Sequence, residues 1–97
     1  MSNFFGMGLI AGINSQEPYS SQHITRYCED FRRGYVIGYT HSLMQLSGDS
    51  ELVTRVAGSL TQKYGLNKEM MMEIYTEFQQ DSSTNSFISG YTAAAQT

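Results

Sequence analysis

A chain of 97 residues, 40% apolar and 15% charged, is long enough to bury one core and too apolar to stay disordered. Its net charge of −3, with only six scattered Lys and Arg residues, argues against nucleic-acid binding, which draws its affinity from neutralised phosphates. The single cysteine, Cys28, excludes an internal disulfide and a multi-thiolate zinc site.

Taken in chain order, the sequence predicts an all-α fold, a compact bundle of about five helices in one domain spanning 1–97. Ser2 or Asn3 caps a first helix over FFGMGLIAGI, which stops near Asn14. That apolar run is about half the ~20 residues needed to span a bilayer. No Lys or Arg precedes it and no small-residue cleavage site follows, so the expected location is cytoplasmic. A polar, flexible loop over about 14–22 holds the only proline, Pro18. Ser20 or Ser21 then caps a long second helix from about His23 to Gln45, with Glu29–Arg33 and Arg26–Asp30 as ion pairs four residues apart. Gly48 ends it, and Asp49 or Ser50 caps a third helix, ELVTRVAGSLTQKY, closed by Gly65. Its expected buried stripe is Leu52, Val53, Val56, Ala57, Leu60 and Tyr64. Asn67 caps a fourth helix, KEMMMEIYTEFQQ, whose inner face is Met71, Ile74, Tyr75 and Phe78, with Met70 and Met72 at its edges. DSSTN reads as a turn before a last helix around SFISGYTAAA, and a loose tail covers about 95–97.

Three segments share one spacing: a Phe, a small residue three further on, a large apolar residue at four and a small one at seven. They are Phe5-Gly8-Leu9-Gly12, Phe31-Gly34-Tyr35-Gly38 and Phe87-Gly90-Tyr91-Ala94. These offsets define one helical face. A helix-interior glycine costs about 0.5–1 kcal/mol relative to alanine, so five of them call for an offsetting gain. Close backbone approach supplies one, as in Gly-xxx-Gly helix pairs. The expectation is that the first, second and last helices meet on these stripes. The unequal spacing of the three segments argues against a regular tandem array.

FGMGLIAG, YCEDFRRGYVIGYTH, SGD and AGSLTQKYGLNKEMMME together resemble the YghW family of short enterobacterial proteins of unknown function. The resemblance covers most of the chain and implies a bacterial, cytoplasmic protein of about this length. It implies no activity and no catalytic residue.

The residues themselves offer little reactive chemistry. His41 borders the glycine stripe and reads as a polar contact or a packing residue. His23 stands ~27 Å from it along the same expected helix, too far to share a metal. Cys28, between Ile24 and Phe31, reads as a buried thiol. Glu69, Glu73 and Glu77 form a solvated face without an inward Glu-x-x-His partner. No catalytic residue, cofactor or metal is therefore expected. A helix-turn-helix reading of the third and fourth helices is weakened because glutamates occupy the would-be recognition face. The favoured expectation is a non-enzymatic protein acting by protein–protein interaction or self-association, because the seven Tyr and five Phe exceed what one small core needs. Met70 and Met72 are candidates for an adaptable apolar contact. The alternative is a small-molecule-binding regulator with a pocket between helices lined by Tyr35, Tyr39 and His41.

Overall fold

The computed structural model describes residues 3–76 and 82–96. The chain divides into two compact units, Met1–Gly48 and Asp49–Thr97. The first holds α1 (Phe4–Asn14), α2 (Ser21–Ile24) and α3 (Glu29–Ser47); the second holds α4 (Ser50–Lys63), α5 (Lys68–Thr76) and α6 (Ser82–Ala95). The fold is all-α, and no strand occurs among the described residues.

Several boundaries are set by the caps the sequence offers. Asn3 Oδ1 accepts from Gly6 N–H at 2.9 Å, Ser20 Oγ from His23 N–H at 3.1 Å, Asp49 Oδ1 from Leu52 N–H at 3.1 Å and Asn67 Oδ1 from Met70 N–H at 2.8 Å. Each satisfies one donor that a helix start leaves orphaned. Gly48 and Gly65 adopt φ of 65° and 67°, the left-handed region that ends a helix at little strain for glycine.

The long second helix of the sequence reading is two helices. After Ile24 the ladder tightens, with Arg26 N–H donating to His23 O and Tyr27 N–H to Ile24 O, and a new helix starts at Glu29. Cys28 is the N-cap residue and is exposed rather than buried. Tyr27 stacks on Phe31 across the break, ring centroids 4.0 Å apart, and Glu29 and Asp30 fall in the first turn of α3, where carboxylates suit the helix dipole. Arg33 pairs with both Glu29 and Asp30, so the expected Arg26–Asp30 pair gives way to Arg33–Asp30.

In the first unit α1 and α3 cross on their glycines. A Cβ on Gly8 would overlap the Phe31 carbonyl and lie 2.8 Å from its carbon; one on Gly12 would overlap the Tyr35 carbonyl and lie 2.6 Å from Tyr39 N. Gly34 and Gly38 stand in the same way against the carbonyls of Phe5 and Leu9. Heavy atoms ordinarily sit about 3.5–4.0 Å apart. Advancing four residues on α1 advances four on α3, so the two helices run parallel, with residues 15–28 returning the chain. The direction a Cβ would take is filled by an α-hydrogen aimed at a carbonyl oxygen. Such contacts are worth about 0.5–1 kcal/mol each, which offsets the similar cost of each glycine.

The second unit repeats this stereochemistry between α4 and α6. A Cβ on Gly58 would meet the Phe87 carbonyl, and one on Gly90 the Arg55 carbonyl. The glycine stripe of the last helix, expected to pair with those of the first two predicted helices, is thus matched by Gly58 and Arg55 of α4. Ser86, one turn before Gly90, is buried, and Ala94, one turn after it, is half-buried. α5 packs on both α4 and α6. Val53, Ala57, Leu60, Tyr64, Leu66, Met71 and Phe87 are buried, whereas Leu52, placed in the core by periodicity, is 37% exposed. Buried Thr54 and Thr61 donate their hydroxyls to Ser50 O and Ala57 O one turn back, so neither brings an unmet polar group inside. The helix of α6 begins at Ser82, inside the expected DSSTN turn; Asp81 of that turn, like Glu77 and Phe78 of the fourth predicted helix, lies outside the described residues.

Candidate functional site

The first unit carries two features not consumed by its own packing. The first is α1 itself, which is apolar on all sides. Only its glycine face meets α3. Phe4, Met7 and Ile10, spaced three apart, turn outward and are 45%, 54% and 61% exposed, with Phe5 and Ile13 along the edges. Residues 1–16 contain no charged side chain.

The second is a cleft at the end of α1. Asn14 lies level with about residue 40 of α3 in the register set by the glycines, so α3 projects past it by seven residues, or ~10 Å. The step between the two forms a cavity of about 200 Å³ lined by Ile13, Asn14, Ser15 and Gln16 on one side and Tyr39, Ser42, Leu43 and Leu46 on the other. The α3 residues follow the spacing of a single helical face.

Buried Tyr35 holds the wall of that cleft in place. Its hydroxyl donates to Ser15 Oγ at 2.8 Å and accepts from Tyr19 N–H at 3.0 Å, while Ser15 Oγ donates to Ala11 O at 2.8 Å. Its ring stacks on Tyr19 at 4.4 Å and faces Tyr39 at 6.4 Å. Tyr19 in turn meets His23 edge-on at 4.4 Å. The aromatic surplus thus pins the polar connection 15–28 to α3.

Burial raises the Tyr35 phenol above its ordinary value despite the lowering hydrogen bonds from Ser15 and Tyr19. Tyr39 is raised as well, first by burial and then by the Glu17 carboxylate. The folded state then holds these protons more tightly than the unfolded chain. Stability should be complete below about pH 10 and fall as pH rises through the folded-state values. Tyr35→Phe should cost about 1–2 kcal/mol at neutral pH, since it removes the hydrogen bonds that the phenol makes with Tyr19 N–H and Ser15 Oγ. Urea titrations at neutral and alkaline pH should also show a shallower alkaline loss in the variant.

Among the sequence-derived candidates, Tyr39 lines the cleft and Tyr35 supports it from behind. His41 does neither: it is exposed and lies about 160° around α3 from Tyr39. Met70 is 46% exposed and Met72 half-buried on α5, where Glu69 and Glu73 are also exposed. Phe5, Gly8, Gly12, Phe31, Gly34 and Gly38 all take part in the α1–α3 crossing, and Phe87 and Gly90 in the α4–α6 crossing. The sequence reading missed Gly58 and the C-terminal end of α1. Among the described residues no group of three or more His, Cys, Asp or Glu side chains is placed to hold a metal, and no helix is long and apolar enough to cross a membrane.

No solved structure matches the chain. The model of one sequence family, described as a protein of unknown function (DUF2623), matches residues 1–93, and the chain belongs to that family.

Proposed function

We propose that the chain is a non-catalytic, cytoplasmic binding module that acts by engaging another protein or a second copy of itself through the outer face of α1. The likeness to the short enterobacterial YghW proteins is part of this reading. The observation that carries it is the exposure of Phe4, Met7 and Ile10 on a helix whose other face is already used. Scattered apolar side chains are normal on a protein surface, but a contiguous, uncharged stripe at helical spacing is the surface of a contact. Met7→Lys with Ile10→Lys tests it, since both side chains point outward and the substitutions leave the glycine crossing intact. Light scattering over a concentration series should show association, or a stable partner after capture, for the natural chain and neither for the variant, at equal helical content by circular dichroism. A natural chain that stays monomeric and captures the same proteins as the variant would defeat the reading.

A second reading, a small-molecule-binding regulator, is favoured by the cleft beside Tyr39. It replaces the expected trio of Tyr35, Tyr39 and His41 with a set in which His41 has no part.

A further inference from the structure

We infer that the cleft at the C-terminal end of α1 binds a small organic cation, an ammonium group on a short apolar stem; this rests on the second reading above. The volume sets the size. About 200 Å³ is the room of six or seven waters, enough for a metabolite-sized fragment and too little for a peptide side face. The walls set the apolar part: Ile13, Leu43 and Leu46 offer a hydrocarbon surface, and Leu46 is 84% exposed unless something lies against it.

The sign of charge follows from the fold. Because the helices are parallel, α1 ends at one side of the cleft and the last turn of α3, with Leu46, lines the other, so the partial negative charge of each helix end lies against it. Neither α1 nor α3 has a basic residue in its last turn. The lining includes no Lys, Arg or His. The Glu17 carboxylate is near enough to act on Tyr39, and the Tyr39 ring itself presents a π face of the kind that attracts ammonium groups. Ser15, Ser42, Asn14 and Gln16 supply oxygen acceptors at the rim. An anion would instead meet the two negative helix ends and the Glu17 carboxylate.

The test uses three probes of equal length, pentylammonium, pentanol and pentanoate, titrated into the full chain and followed by amide NMR. Pentylammonium should give saturable shifts confined to residues 14–16 and 39–46. Pentanol should bind about two- to fivefold more weakly, the range a charge at a helix C-terminus commands, and pentanoate more weakly again. Leu43→Arg and, from a separate position, Ser42→Arg should each abolish the ammonium shifts at unchanged helical content. No saturable shift with any probe would overturn the site. Equal affinity for all three would overturn the assignment of a cation while leaving a small-molecule cleft standing. Neither outcome bears on the α1 face, whose test is association.

Discussion

Gly34→Ala, the smallest side-chain addition possible, is expected to destabilise the first unit by roughly 3 kcal/mol or more, at the upper end of overpacking effects. Helix propensity alone says the opposite, since alanine is favoured over glycine by about 1 kcal/mol inside a helix. The structure decides between them because the new methyl would overlap the Phe5 carbonyl oxygen and sit 3.0 Å from Leu9 N. Both are backbone atoms of a helix, so no rotamer change relieves the clash; α1 and α3 must separate along their whole contact. Gly38→Leu adds to the same overlap and should cost more. Gly48→Ala is the control: nothing lies within 4 Å of the added Cβ, and only its φ of 65° is unfavourable. That change should cost about 1 kcal/mol. Urea unfolding monitored by circular dichroism ranks the three. A Gly34→Ala chain more stable than the natural one would show that the helices do not depend on backbone contact.

The α1–α3 crossing was legible in the sequence because two glycines four apart on each helix, beside a Phe, mark a face directly. Gly58 escaped because the pattern was keyed to Phe three residues earlier, and that position in α4 is Arg55. The structure shows why the key was too narrow: what Gly90 meets is the main-chain oxygen of Arg55, which any residue supplies. The break at 25–28 was hidden for a different reason. His23, Ile24, Tyr27 and Phe31 keep helical apolar spacing across it, so periodicity carries no trace of the restart. Paired acids at Glu29 and Asp30 are the signal that was available. The cleft was not legible at all. It depends on where α1 stops against α3, which is a matter of register between helices and not of any local pattern.

Phe87→Ala should be the most damaging single truncation in the second unit, at about 3–5 kcal/mol, the usual range for removing a fully buried ring. Phe87 is 0% exposed, and its ring lies 6.1 Å from that of Tyr75 on α5, so truncation removes an aromatic contact between α6 and α5. Its carbonyl, which faces Gly58, is left in place. That separation allows a sharper measurement than stability alone. Gly58→Ala adds a methyl that overlaps the Phe87 carbonyl and lies 3.0 Å from Tyr91 N. If the obstacle is backbone, shortening the Phe87 side chain opens no space for the methyl, and the double variant should be less stable than either single one. Phe87→Leu serves in the cycle where the alanine form is too unstable to measure. Rescue of Gly58→Ala by either Phe87 variant would mean that the ring and not the carbonyl fills the place of the missing side chain, and that glycine in α4 makes room for packing rather than for a neighbouring main chain.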